Sequence, residues 1–62
     1  MFKKDMEKIK ACIEHEDYYT AMEFSILIKD YYEDEKKECL EKLINNVKSG
    51  SYENIKKMVE AQ

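Results

Sequence analysis

The sequence predicts an all-α fold of two helical hairpins, four short helices that make a single small domain over residues 1–62. Three observations carry that expectation. The chain contains no Pro and a single Gly, so little in it interrupts a helix. Its apolar residues recur at steps of three and four, the period of a helix with one buried face. The stretch DYYTAMEFSILIKDYYE, residues 17–33, holds ten apolar or aromatic side chains in seventeen positions, too many for a helix lying on a surface.

The first helix is expected over about residues 2–14, where Phe2, Met6, Ile9 and Ile13 follow one another at spacings of four, three and four. Lys3, Lys4, Glu7, Lys8 and Lys10 occupy its other face. Asp17 is a good N-cap for the second helix, which opens at Tyr18. Wound at about 100° per residue, that helix gathers Ala21, Phe24, Ser25, Leu27, Ile28, Tyr31 and Tyr32 on a broad arc, its expected core face. Tyr19, Met22 and Ile26 fall on the opposite side among Glu23, Lys29, Asp30 and Glu33. Six consecutive charged residues, 33–38, then remove the apolar stripe for nearly two turns, so a reversal is expected after Tyr32, with Asp34 able to cap a new helix; the alternative is one long rod over residues 18–48 that dimerises to cover its stripe. The third helix, about residues 35–48, carries Leu40, Leu43, Ile44 and Val47. Ser49-Gly50-Ser51 supplies a Gly for a left-handed stop and a Ser to cap the fourth helix, about residues 52–61, with Ile55, Met58 and Val59.

Shifting the chain by 34 residues aligns the two caps, Asp17 with Ser51. Met6 then meets Leu40, Ile9 meets Leu43, Ile13 meets Val47, Tyr18 meets Tyr52, Ala21 meets Ile55 and Phe24 meets Met58. Asp17-Tyr18-Tyr19-Thr20-Ala21, followed by Glu23-Phe24, resembles the opening of the second helix of a tetratricopeptide repeat, whose period is 34 residues; Gly50-Ser51-Tyr52-Glu53-Asn54-Ile55 is a looser second copy. The chain departs from that family at Asp5 and Cys39, where a large apolar residue is usual, and in lacking a Pro after the second helix. The 34-residue register is that of a helix-turn-helix unit used twice. Two such units either stack in the manner of that family or close into a compact four-helix bundle.

At this length a chain buries only about 60% of its unfolded surface, and a single core supplies roughly 3–5 kcal/mol. Association into a homo-oligomer is therefore expected. Fourteen acidic residues face eleven Lys, and there is no Arg. Without Arg, bidentate contacts to phosphate or base edges are lost, which argues against direct nucleic-acid recognition. Met1-Phe2-Lys3-Lys4 runs straight into charged sequence with no apolar leader, so Cys12 and Cys39 are expected as reduced thiols of a cytoplasmic protein. The longest apolar run, Ile26-Leu27-Ile28, falls far short of the roughly 20 residues of a membrane span.

Cys12 and His15 stand three apart, a spacing that can bring two ligands to one metal, but one His and no CxxC motif fall short of the usual four-ligand set. No metal or other cofactor is expected. Cys12 and His15 would also need an orienting third group, such as Glu16 or Asp17, and an enclosed pocket to act as nucleophile and base. Four short helices without a Gly-rich loop offer no such pocket, and no catalytic residue is assigned. The acidic runs around residues 14–17 and 33–35 lack the Asp-x-Asp-x-Asn-Gly spacing of a calcium loop.

The sharper candidate is the seam of Tyr19, Met22 and Ile26 on the polar side of the second helix, with Tyr18 or Tyr52 at its edge. Either flanking helices cover it as core, or it is a partner-binding or self-association surface, since Tyr and Met suit contacts that are apolar and adaptable. The function expected is a non-enzymatic helical protein–protein interaction module, or a small regulator or inhibitor, that self-associates. The alternative is a small nucleic-acid-associated regulator using the third or fourth helix with Lys3, Lys4, Lys8, Lys10, Lys56 and Lys57.

Overall fold

The structure is a computed structural model that describes residues 1–61. It contains α1 (Phe2–Glu14), α2 (Tyr18–Ile28), a single 3₁₀ turn (Lys29–Tyr31), α3 (Asp34–Ser49) and α4 (Tyr52–Glu60). The reversal expected after Tyr32 is present. Tyr32 and Glu33 are extended, and the absence of any apolar residue over the next turn leaves nothing to hold a continuous rod together. Asp34 is the first residue of α3 rather than its cap; Glu33 holds the cap position without a side-chain bond.

Both hairpins turn in the same way. After α1 the Asp17 N–H donates to the Cys12 carbonyl at 2.8 Å and the Glu16 N–H to the Ile13 carbonyl at 2.9 Å, with Glu16 left-handed at φ 58°. After α3 the Ser51 N–H donates to the Asn46 carbonyl at 2.8 Å and the Gly50 N–H to the Val47 carbonyl at 3.1 Å, with Gly50 at φ 73°. These paired bonds define a Schellman stop. Every participating residue in the second is 34 positions after its counterpart in the first. Asp17 caps α2 as expected, accepting from the Thr20 N–H at 3.2 Å. Ser51 occupies the equivalent position, but its hydroxyl meets Ser49 at 3.0 Å and caps nothing.

The core follows the same register. Met6, Ile9 and Ile13 of α1 and Leu40, Leu43 and Val47 of α3 are buried, as are Ala21 and Ser25 of α2 and their counterparts Ile55 and Val59 of α4. Ser25 is the one buried polar residue among those described, and its Oγ donates to the Ala21 carbonyl at 2.8 Å, so no unsatisfied group enters the core. Each helix packs mainly on two others, in the cycle α1, α2, α3, α4 and back to α1. The hairpins thus close into a compact bundle with a Cα radius of gyration of 10.1 Å. Exchanging the hairpins carries the α2–α3 contact onto the α4–α1 contact, the pattern of an approximate two-fold. Tyr18 and Tyr52, equivalent in the repeat, accordingly stack on each other with ring centroids 4.2 Å apart and planes 9° from parallel. No described helix is long and apolar enough to cross a membrane.

The arc of α2 that faces the core differs from the one expected. Leu27 and Tyr31, assigned to the core by periodicity, are 72% and 83% exposed, whereas Met22 is only 7% exposed. The buried arc centres near Ser25, Met22 and Tyr18, roughly 70° round from the expected centre, which is less than one residue step. α1 and α3 both pack on that side, and beyond Ile28 the chain tightens to 3₁₀ and swings Tyr31 outward.

Candidate functional site

With Met22 in the core, the expected seam of Tyr19, Met22 and Ile26 is not one surface. Tyr19 and Ile26 remain outside, 67% and 42% exposed, and they join Leu27 instead. On α2 the side chains of Tyr19, Glu23, Ile26, Leu27 and Asp30 lie within about 100° of arc, with Tyr31 beyond them at the end of the 3₁₀ turn. Four large apolar side chains therefore line the solvent side of one helix. They line it because α2 is apolar on all sides while a bundle of this size covers only the inner half. Leu27 and Tyr31 are the members that periodicity missed. The available signal was the excess of apolar residues over what one buried face needs.

The remaining two candidates have partners already. Tyr18 and Tyr52 spend one ring face each on their mutual stack at the end of the bundle where α2 and α4 begin. They seal that end instead of extending the α2 face.

The opposite end of α2 is fixed to α1 through aromatic and polar contacts. Tyr32 packs edge-on against Phe2, with centroids 5.1 Å apart at 76°, and its hydroxyl donates to Asp5 Oδ2. That hydrogen bond, with some burial and the negative charge of Asp5, pushes the Tyr32 phenol up to about 12. Lys36 Nζ stands 5.7 Å from the Phe2 ring centroid and Lys8 Nζ 5.6 Å from that of Phe24. Asp30 pairs with Lys29 at 3.2 Å and Lys37 at 3.6 Å, and the Lys29 bond first of all holds its carboxyl below the usual carboxylate range. These contacts anchor the linker, so the exposed face of α2 is presented on a helix held at both ends.

Cys12 and Cys39 are free, half-buried thiols against the core. Burial raises the Cys39 thiol, which keeps it protonated and a poor nucleophile at neutral pH. His15 is exposed in the turn, and among the described residues no hydrogen bond joins its ring to Cys12. No three His, Cys, Asp or Glu side chains among the described residues are grouped so as to hold a metal ion. A shallow groove between the end of α1 and α4 carries Lys10, Glu14, Glu16, Lys56 and Glu60 around Ile13 and Val59, charges of both signs on an open surface.

Compared with protein-family models, curated proteins and solved structures, the chain matches none of them.

Proposed function

We propose that this chain is a non-enzymatic interaction module, a small regulator or inhibitor that acts by presenting the outer face of α2 to another protein. The observation that carries the reading is the exposure of Tyr19, Ile26, Leu27 and Tyr31 along one helix that is anchored at both ends. Large apolar side chains gathered on one face around a single acid, Glu23, rather than scattered singly, favour a contact site. Tyr and aliphatic side chains presented at helical spacing suit a helix-in-groove or helix-on-helix contact, in which a few central anchors supply most of the affinity.

Site-specific photocrosslinking tests it. A benzophenone side chain at position 27, on the exposed face of α2, should capture a discrete protein from cells that carry this chain. The same group at position 41, on the exposed side of α3, should not. Equal capture from both positions, or none from position 27, would overturn the proposal.

The nucleic-acid reading has less behind it. Lys10 and Lys56 come together in the α1–α4 groove, but Glu14, Glu16 and Glu60 share it and offset their charge. Steep weakening of a complex between low and moderate salt would be its signature.

A further inference from the structure

Resting on the reading of the α2 face as a contact site, we infer that its occupant is a basic amphipathic helix, an apolar stripe flanked by Lys or Arg, from another protein. The charge distribution carries this. Residues 16–34 contain six acids, Glu16, Asp17, Glu23, Asp30, Glu33 and Asp34, and one lysine, Lys29. The other 43 residues contain eight acids and ten lysines, so the acidic excess of the whole chain is concentrated in the one segment that also exposes the apolar face. Lys29 and Lys37 are both committed to Asp30, and Lys8 lies over Phe24. Among the described residues Glu16, Glu23, Glu33 and Asp34 have no ion-pair partner. Glu23 lies in the middle of the face, between Tyr19 and Ile26–Leu27, and the other unpaired acids stand at its two ends.

That arrangement discriminates among occupants. A second copy would meet this surface through the same patch on itself, so Glu23 would approach Glu23 of the other copy and acidic ends would meet acidic ends in either orientation. An anionic lipid surface or a nucleic acid would be repelled by the same charges. A cationic amphipathic helix meets the apolar stripe with its own and places its charges against the unpaired carboxylates, which is the complementarity that steers and orients such contacts.

Fluorescence anisotropy with a labelled Leu/Lys amphipathic peptide of about five helical turns, and a Leu/Glu peptide with the same stripe, tests the inference. The Leu/Lys peptide should saturate the chain and bind at least about tenfold more tightly than the Leu/Glu peptide. Glu23→Lys should weaken it by about fivefold or more, while Glu41→Lys, the same change in net charge on the exposed side of α3, should leave it within about twofold. Leu27→Glu and Tyr31→Glu should also weaken it, although each adds negative charge; helical circular dichroism confirms beforehand that each variant is folded. Equal binding of the two peptides would overturn the inference. So would equal losses from Glu23→Lys and Glu41→Lys, or tighter binding by Leu27→Glu, since both indicate attraction by net charge alone. A dimer in sedimentation that Leu27→Glu disperses would assign the face to a second copy and overturn it as well. Failure of the Leu/Lys peptide while position 27 still crosslinks a protein rejects the partner class and leaves the contact face standing; failure of both removes the face itself.

Discussion

The two hairpins share their turn, their buried ladder and their place in the bundle, and they differ on the outside of the second helix. Where α4 exposes Glu53, Lys57 and Glu60, the equivalent positions of α2 are Tyr19, Glu23 and Ile26, and Ala61 stands opposite Leu27. Most positions that face the core are apolar in both copies; the exceptions are Ser25 opposite Val59, and the buried Met22 and Ile44, which stand opposite Lys56 and Lys10. On the outer face, Tyr19 and Ile26 replace the charged Glu53 and Glu60, and Leu27 replaces the small Ala61, while Glu23 and Lys57 are charged in both copies. Since both copies fold into the same hairpin, folding does not require an apolar outer face at these positions. What the hairpins have in common is the fold, and what only the first one carries is the candidate site.

The largest test of the shared part removes one rung of the ladder from each side. Ile9 and Leu43 are equivalent, and both are fully buried. Ile9→Ala and Leu43→Ala should each cost about 2–5 kcal/mol, comparable with the roughly 3–5 kcal/mol that a core of this size supplies. Both variants should therefore lose most of their helical circular dichroism at room temperature. Retention by one and unfolding of the other would show that one hairpin holds the bundle and the other merely docks on it.

A smaller effect should separate the turns. Both need a left-handed residue, but the first uses Glu16 and the second Gly50. A side chain in that conformation costs about 1–2 kcal/mol, and beyond its chain neighbours no atom lies within 4 Å of where a Cβ on Gly50 would stand, so the cost there is backbone strain alone. Gly50→Glu should therefore lower stability by about 1–2 kcal/mol, and Glu16→Gly should raise it by up to about 1 kcal/mol, both read from urea denaturation. Changes of the same sign would mean that the Glu16 side chain contributes something its counterpart does not.

How far this could be read in advance depended on where the sequence offers a choice. Helix ends were legible because Asp17, Gly50 and the charged run after Tyr32 each have few local alternatives. In α1, α3 and α4 one apolar stripe is backed by charge, and Met6, Ile9, Ile13, Leu40, Leu43, Val47, Ile55 and Val59 could be assigned inward from spacing alone. α2 has no such contrast. With apolar residues on every side, Met22 and Leu27 are equally eligible for burial, and only the positions of α1 and α3 decide between them. The Tyr18–Tyr52 stack depends on how the two hairpins dock, and the Tyr32–Asp5 hydrogen bond on how α1 lies against the end of the first hairpin, neither of which a local pattern records.

The Tyr32–Asp5 joint is a second feature of one hairpin only, and pH isolates it. The phenol titrates near 10 in an unfolded chain and near 12 in the folded one. The folded state thus keeps a proton that the unfolded state releases, so this contribution to stability is complete below pH 10 and is lost as pH rises toward 12. Tyr32→Phe keeps the edge contact with Phe2 but removes the hydroxyl. The melting temperature of the parent chain should fall more steeply between pH 10 and 12 than that of Tyr32→Phe, and parallel curves would show that the bond to Asp5 does not couple to folding.

The smallest expected effect on stability sharpens the comparison most. Giving α2 the outer face of its counterpart, with Tyr19→Glu, Ile26→Glu and Leu27→Ala, exchanges two side chains that point largely to water and one, Ile26, that is 42% exposed. Surface substitutions of this kind usually change stability by no more than about 0.5 kcal/mol each, and Glu and Ala are better helix formers than Tyr and Ile by a few tenths of a kcal/mol each. The melting temperature should therefore stay level or rise slightly, while binding of the Leu/Lys peptide to the α2 face disappears. A marked fall in stability would mean that the apolar outer face supports the bundle itself, and the division between a shared fold and a one-sided site would no longer hold.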